Sequence, residues 1–348
     1  MILDDIRRID LNGMYDAIRT FPEQWQEGRQ RALEAGLPPL DAADFSQVLV
    51  VGMGGSAIGG DLLRTLALDA AVVPILVSRS YTVPAWVGTE TLVVVSSYSG
   101  NTEETLSAMD AAQEQGATIV CIASGGEVIE RAQVQHLPHL TVPGGLQPRA
   151  ALGYSLTTSL TLAERIGLLD LGQASWDETQ TLLEEKAAAL GQLEGNEAQD
   201  LAQDLHGKLP FIYSSEGLLE AVNVRWRNQI QENAKTLATG NVWPELNHNE
   251  IMGWEHDTGL LEHIAVVVLR DAGEHPQVGR RIQVTQGLLA ERAALWQDVD
   301  SQGESKLARV MSLVHHGDWV SFYLAILNGV DPTPVGLIQQ LKKTLAKG

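Results

Sequence analysis

TLVVVSSYSGNTEETL, residues 91–106, joins an apolar run to the start of a helix through a turn rich in hydroxyl and amide side chains. TLVVVSS favours a buried strand, and TEETL begins an amphipathic helix. One polar side chain is enough to cap a helix, and Glu104 is placed to complete a capping box. Five such residues crowd this turn: Ser96, Ser97, Ser99, Asn101 and Thr102. The pattern therefore supports two interpretations, a helix cap and a cradle of N–H groups and hydroxyls around an anion such as phosphate.

A second loop of the same kind precedes it. In GMGGSAIGGD, residues 52–61, glycines and a serine connect the predicted strand QVLVVG to a helix. The glycines match the loose dinucleotide-binding pattern GxGxx(G/A), but that motif needs an acidic residue near the end of the next strand. That strand ends in Ser78, Arg79 and Ser80, which leaves nucleotide binding as the weaker alternative. Because loops after parallel strands open on one edge of a sheet, we expect both loops to converge on a single anion.

Strands and helices alternate along most of the chain. This alternation predicts an α/β fold with parallel sheets that are covered by helices on both faces. A length of 348 residues corresponds to about two domains. The predicted organisation is N-terminal helices over 1–40, a first α/β domain over 41–170, a helical bridge over 171–206 and a second α/β domain over 207–348 that ends in a helix.

The composition limits the partners and the compartment. A net charge of −20 argues against nucleic acid and against anionic membrane surfaces as partners. No apolar run reaches the roughly 18 residues of a membrane span, and the first residues lack a signal-peptide pattern. The single cysteine, Cys121, lies among apolar β-forming residues, which predicts a buried side chain and excludes an internal disulfide. We therefore expect a cytoplasmic protein.

Taken together, GMGGSAIGGD and SYSGNTEET resemble the sugar isomerase (SIS) domain, a fold that binds phosphorylated sugars. Two further stretches, PRAALGYS (148–155) and ENAKTLATGNVWPELNHNEIMGW (232–254), narrow the resemblance. They are similar to the bifunctional phosphoglucose/phosphomannose isomerases of archaea and bacteria, which carry two SIS domains per chain. The resemblance extends from about residue 45 to the C-terminus.

The resemblance implies an aldose–ketose isomerisation of phosphorylated hexoses through a cis-enediol, without metal or other cofactor, at a site shared between the subunits of a homodimer. The phosphate pocket of the family falls on Gly54, Gly55, Ser56, Ser97, Ser99 and Thr102. Its catalytic glutamate falls on Glu232, its ring-opening histidine on His248, and its arginine near the reacting carbons on Arg149. The expected C-terminal lysine falls on Lys342, with Lys343 as the alternative in QLKKTL.

Two of the catalytic candidates, Glu232 and His248, also have ordinary structural explanations. A helix glutamate such as Glu232 would usually be exposed and paired with Lys235 at i+3, and His248 would usually be a solvated loop residue. Arg149 opens the predicted helix AALGYSLTTSL, where a cation opposes the helix dipole, so its position favours a functional role. The residues around His248 include carboxylates, but there is no second histidine at a ligand spacing, and no metal site is expected.

Two further classes of protein share the SIS domain. A non-catalytic sugar-phosphate sensor would need the phosphate loops but neither Glu232 nor His248, and would usually carry a helix-turn-helix that the acidic N-terminus does not resemble. An amidotransferase would need an added glutaminase domain with an N-terminal cysteine, and Cys121 lies in the middle of a predicted strand.

Overall fold

The computed structural model describes residues 3–256 and 259–345. The strands of the first sheet are β1 (Gln47–Val51), β2 (Ile75–Ser78), β3 (Thr91–Ser97), β4 (Thr118–Ala123) and β5 (His139–Thr141). Those of the second sheet are β6 (Leu209–Ser215), β7 (Thr239–Trp243), β8 (Ile264–Arg270) and β9 (Leu295–Asp300). The orders are β2-β1-β3-β4-β5 and β7-β6-β8-β9, and every pairing is parallel.

Helices precede, cover and connect the sheets. The N-terminal helices are α1 (Leu3–Ile9), α2 (Met14–Arg19) and α3 (Phe21–Glu34). The helices around the first sheet are α4 (Gly54–Leu66), α5 (Glu103–Glu114), α6 (Gly126–Val134) and α7 (Leu152–Arg165). They are followed by α8 (Gln173–Leu190), α9 (Glu197–Leu205), α10 (Glu220–Ala234), α11 (Pro276–Leu289), α12 (Lys306–Leu327) and α13 (Gly336–Leu345).

The two sheets share one hydrophobic core. The apolar faces of α3, α4 and α7 pack with those of α10 and α12 between the sheets, because the central strands are apolar on both sides. The far face of the first sheet is covered by α5 and α6, and the far face of the second by α11. The sequence prediction of an α/β fold with parallel sheets flanked by helices and an N-terminal helical segment is confirmed.

Close packing holds α10 and α12, two helices of the second half of the chain, against each other. Trp226 of α10 donates its indole N–H to the carbonyl of Leu313 in α12 at 2.8 Å. Gly317 lies beneath the indole ring, and a Cβ there would overlap it. The helices α8 and α9 of the predicted bridge also pack against α12, and α8 contacts α3. The long helix α12 is therefore surrounded by protein, and nearly all of its residues are buried.

Three strands that the sequence pattern did not predict, β5, β7 and β9, are all edge strands. They are short or only half-buried, so they lack the continuous apolar run that marks a central strand. Cys121 is fully buried in β4, as predicted, and burial raises the pKa of its thiol to about 12. Among the described residues, no helix combines the length and the apolarity that crossing a bilayer requires.

Candidate active site

Two loops meet at the carboxyl edge of the first sheet. The predicted phosphate-pocket residues lie here: Gly54, Gly55 and Ser56 after β1, and Ser97, Ser99 and Thr102 at the end of β3 and before α5. The backbone N–H of Tyr98 donates to Oγ of Ser56 at 3.1 Å, which ties the two loops together. The strand order reverses between β1 and β3. The crevice at such a reversal is where open parallel sheets bind ligands.

The hydroxyls of the second loop bond to each other and to the loop backbone. In the described part of the chain, neither Met53 before α4 nor Thr102 before α5 forms a side-chain cap. Instead, the Thr102 hydroxyl accepts from Oγ of Ser97 at 3.1 Å, and the Ser99 hydroxyl accepts from the Asn101 N–H at 3.3 Å. Helix N–H groups that no side chain caps are natural donors to an anion. This arrangement suits the anion cradle better than the helix cap.

Gly55 lets the segment that carries Arg149 approach the first loop. A Cβ at Gly55 would lie 2.9 Å from the Pro148 carbonyl oxygen and 3.3 Å from the Arg149 nitrogen. The segment before it is held by Tyr98, whose hydroxyl donates to the Pro143 carbonyl at 3.0 Å. Any larger residue at 55 would separate Arg149 from the loop.

Arg149 lies in the 3-10 turn Pro148–Ala150, and α7 begins only at Leu152. The prediction that Arg149 opens this helix is therefore wrong by one short turn. The cause is a hydrogen bond from the Ala151 N–H to the Pro148 carbonyl at 3.3 Å, which closes a separate turn before the helix. The Arg149 side chain points away from α7 into the protein, and the residue is only 3% exposed.

The guanidinium of Arg149 is held from several sides. Its Nε donates to Oδ1 of Asn233 at 2.6 Å. One terminal nitrogen donates to the carbonyls of Pro332 and Thr333 at 2.7 and 2.9 Å. The other lies 3.4 Å from Oε2 of Glu232, where it forms an ion pair. Burial lowers the pKa of this guanidinium, and the Glu232 carboxylate opposes that shift.

Glu232 occupies the last turn of α10 and is partly exposed. Its carboxylate faces Arg149, whereas Lys235 does not form the ordinary i+3 ion pair with it. The Lys235 ammonium donates to the carbonyl of Pro332 at 3.1 Å and to that of Glu232 itself. Partial burial, and next the positive charge of Arg149, lower the pKa of Lys235. The Glu232 carboxylate therefore pairs with Arg149, whereas Lys235 binds the backbone carbonyl of Glu232.

His248 ends the 3-10 turn Glu245–His248, which follows β7. The turn is anchored by Glu250, whose carboxylate accepts from Asn241 Nδ2 at 2.8 Å and from the Tyr213 hydroxyl. Burial, and next the charge of Glu250, raise the pKa of that tyrosine. His248 itself is exposed, and among residues 3–256 and 259–345 its imidazole has no hydrogen-bond partner.

Lys342 and Lys343 lie on α13, whose residues are all exposed. The helix presents apolar residues to solvent at helical spacing: Leu337, Ile338, Leu341 and Leu345. Neither lysine forms a hydrogen bond or ion pair with any described residue. The structure thus brings Arg149 and Glu232 together beside the two loops. Among the described residues, no hydrogen bond or ion pair joins His248, Lys342 or Lys343 to them.

Sequence reasoning missed several residues of this site. Asn233 and the carbonyls of Pro332 and Thr333 bind Arg149, but an asparagine within a polar helix and a backbone carbonyl give no signal in the sequence. Arg79, which follows β2, forms an ion pair with Asp61 of α4. Among the described residues, no group of three or more His, Cys, Asp or Glu side chains is arranged to hold a metal ion.

The fold matches solved proteins that act on phosphorylated sugars. It aligns with the C-terminal domain of glucosamine-fructose-6-phosphate aminotransferase from Francisella tularensis over 92% of this chain and 97% of that chain, with a TM-score of 0.69 at 15% identity. At that identity the match shows the shared fold alone. The family model for the bacterial phospho-glucose isomerase C-terminal SIS domain matches residues 194–345.

Two other proteins have a higher sequence identity to this chain than that structure has. A bifunctional phosphoglucose/phosphomannose isomerase from Caldicellulosiruptor bescii is 42% identical over 96% of this chain and 99% of its own length. One from Aquifex aeolicus is 34% identical over 88% of this chain and 92% of its own length. The chain belongs to the family of bifunctional phosphoglucose/phosphomannose isomerases.

Proposed function

We propose that this protein interconverts glucose 6-phosphate and mannose 6-phosphate with fructose 6-phosphate through a cis-enediol. The observation that carries the proposal is the contact between Arg149 and Glu232, which brings a buried cation and a carboxylate from the two halves of the chain together beside the hydroxyl-rich loops. Membership of the isomerase family supports it independently. A sensor that only binds sugar phosphate would have no use for this pair.

The phosphate end of the substrate binds at the two loops. The N-termini of α4 and α5 supply N–H groups and positive dipole ends, and the hydroxyls of Ser99 and Thr102 supply further donors. The Ser97 hydroxyl donates to that of Thr102 and so fixes its orientation. These local donors offset the net charge of −20, which repels an anionic substrate at long range. Anchoring the phosphate here fixes the distance from the reacting carbons to Glu232.

Glu232 acts as the base that moves a proton between C2 and C1. In the conversion of aldose to ketose, Glu232 takes the C2 proton, the C1=C2 bond forms, and the C1 carbonyl oxygen becomes negatively charged. A proton then moves from O2 to O1, and Glu232 returns its proton to C1 as the carbonyl forms at C2. Arg149 stabilises the negative oxygen of the enediolate. Because glucose and mannose differ only at C2, which is planar in the enediol, one site serves both aldoses.

We assign ring opening to His248, and a further catalytic role to Lys342, with Lys343 as the alternative. His248 is exposed in this chain, which suits a residue that completes the site of a second copy. The apolar face of the exposed α13 also suits a contact that a second copy covers. We therefore propose a homodimer in the cytoplasm whose active sites are shared between subunits.

The test is an isomerase assay with each aldose 6-phosphate, coupled to detection of fructose 6-phosphate, with and without EDTA. The proposal expects activity on both aldoses that EDTA leaves unchanged. Activity on neither substrate would contradict the function. Activity that is lost in EDTA and restored by added zinc or manganese would contradict the metal-free mechanism.

A further inference from the structure

We infer that Asn233 is a positioning residue that decides which edge of the Arg149 guanidinium faces the substrate. The inference rests on the proposed function, because it concerns the arginine assigned to the enediolate. Asn233 is fully buried at the end of α10, and it follows Glu232 directly in the chain. Its Oδ1 accepts from Nε of Arg149 at 2.6 Å, and its Nδ2 donates to Oγ of Ser321 in α12 at 2.9 Å. The amide is therefore fixed at both ends.

The donors of the guanidinium show what this contact achieves. Arginine carries five N–H groups in a planar fork that cannot bend to suit separate partners. In Arg149, the Nε hydrogen goes to Asn233, and the two NH2 hydrogens go to the carbonyls of Pro332 and Thr333. In the described part of the chain, only NH1 is left, and it faces Glu232 at the long distance of 3.4 Å. The fork thus presents NH1, the edge beside the base, to the substrate.

A second contact fixes the main chain of the same arginine. The Arg225 guanidinium of α10 donates to the Arg149 carbonyl at 3.1 Å and to the Asp318 carboxylate at 2.7 Å. Gln229 donates to the other oxygen of Asp318 at 2.8 Å, and Ser321 donates to its carbonyl at 2.8 Å. Asp318 and Arg225 are both buried, so this network is rigid and costly to break.

The two contacts join the halves of the active site. Arg149 belongs to the first half of the chain, whereas Asn233 and Asp318 belong to helices of the second half. Since Asn233 is adjacent to Glu232, any shift of α10 moves the base and the arginine together. The network therefore keeps NH1 aligned with the carboxylate, and a misplacement of about 1 Å costs on the order of 10²-fold in rate.

The variant Asn233→Ala removes the acceptor for Nε and frees the guanidinium to rotate. We expect kcat for fructose 6-phosphate to fall roughly ten- to hundredfold. KM should change less than threefold, because the phosphate loops remain intact. Asn233→Asp keeps an acceptor of the same shape, so its kcat should exceed that of the alanine variant at least threefold. Arabinonic acid 5-phosphate has a planar carboxylate that mimics the enediolate. Its dissociation constant should be higher for Asn233→Ala than for the wild type, by the same factor by which kcat/KM falls.

Asn196→Ala is the matched control. Asn196 is also a buried amide, 7% exposed, but it donates to the carbonyls of Leu190 and Gln192 near α9. This variant should lose stability and keep wild-type kcat. A double-mutant cycle separates positioning from stability. In a chain in which Arg149→Lys has already removed the guanidinium, Asn233→Ala should lower kcat less than threefold.

The outcomes are distinguishable. If the wild type isomerises its substrates but Asn233→Ala has the same kcat as Asn196→Ala, the inference is wrong and the proposed function stands. The inference would also be wrong if the loss of kcat in the double variant equalled the product of the losses in Asn233→Ala and Arg149→Lys, because the two residues would then act independently. A wild type that acts on neither aldose phosphate would remove the proposed function and the inference with it.

Discussion

The backbone N–H of Tyr98 donates to Oγ of Ser56 at 3.1 Å, so the loop after β1 and the loop after β3 form one unit. The hydroxyl of the same tyrosine reaches the Pro143 carbonyl at 3.0 Å and accepts from the Leu146 N–H at 3.2 Å. Tyr98 therefore couples the proposed phosphate cradle to the segment that leads to Arg149. The same residue thus contacts both the proposed phosphate cradle and the segment before Arg149.

Substitution of the loop hydroxyls should weaken phosphate binding. Ser99→Ala and Thr102→Ala each remove a proposed charge-assisted hydrogen bond, worth roughly 1.5–3 kcal/mol, so KM should rise about ten- to hundredfold. Steady-state kinetics with fructose 6-phosphate measure this. Ser107→Ala is the control, because its hydroxyl lies on the same helix α5 but donates to the Tyr81 carbonyl. If KM stays unchanged in both loop variants while they remain folded, the phosphate does not bind there.

Removal of the proposed base should affect kcat. Glu232→Gln keeps the shape of the side chain but cannot accept the substrate proton, so kcat should fall at least ~10²-fold. Glu220→Gln on the same helix, which loses only the ion pair with Arg64, should keep nearly full activity. Solvent-exchange measurements of the C1 proton of fructose 6-phosphate provide a second readout. A Glu232→Gln variant that retains more than about a tenth of wild-type kcat would exclude Glu232 as the base.

The central strands and the two loops could be predicted because each gives a local signal. Continuous apolar runs mark buried parallel strands, and crowded glycines and hydroxyls mark the turns that follow them. The edge strand β9 gave no such signal, since most of its residues are only half-buried. Its existence depends on pairing with β8, which is a tertiary contact.

The partners of Arg149 show why the rest of the site could not be predicted. Resemblance to a family placed Arg149 and Glu232 on the sequence, but their contact joins positions 83 residues apart. Asn233 has no distinctive feature among the polar residues of α10, and the carbonyls of Pro332 and Thr333 have no side-chain identity at all. Such contacts depend on how α10 and α12 pack, and the local pattern does not determine that packing.

Mixed dimers should test whether a second copy supplies His248. His248→Ala and Glu232→Gln are each expected to be nearly inactive on cyclic substrate. If each site combines Glu232 of one chain with His248 of the other, a heterodimer of the two variants contains one complete site. Random assembly of equal amounts should then restore about a quarter of wild-type activity. The measurement is the activity of the two chains after coexpression with different affinity tags.

His263→Ala paired with Glu232→Gln is the control for that mixture. His263 is an exposed histidine at the end of the 3-10 turn Leu261–His263 and has no assigned role, so the His263→Ala chain should be active by itself. Heterodimers of Glu232→Gln and His248→Ala that stay inactive, although both tags are recovered together, would show that each chain uses its own histidine.

Stability should fall in mild acid because of the buried imidazole of His315. Its Nε2 accepts from the Trp319 indole N–H at 3.1 Å, and protonation would break that bond. Burial, and next the charges of Lys186, His316 and Arg225, lower the pKa of His315 to about 3. The unfolded chain, with a pKa near 6.5, therefore binds the proton first. Between about pH 6.5 and 3, stability should decrease by up to about 1.4 kcal/mol per pH unit through this residue.

Urea unfolding at pH 7 and pH 5 measures this decrease. His315→Gln keeps an acceptor for the Trp319 indole but cannot take up a proton in this range. Its free energy of unfolding should therefore depend less steeply on pH than that of the wild type, by about 2 kcal/mol between pH 7 and pH 5. His136→Gln, which replaces an exposed histidine, should keep the wild-type dependence. Equal pH dependence in the wild type and His315→Gln would show that His315 contributes nothing to acid sensitivity.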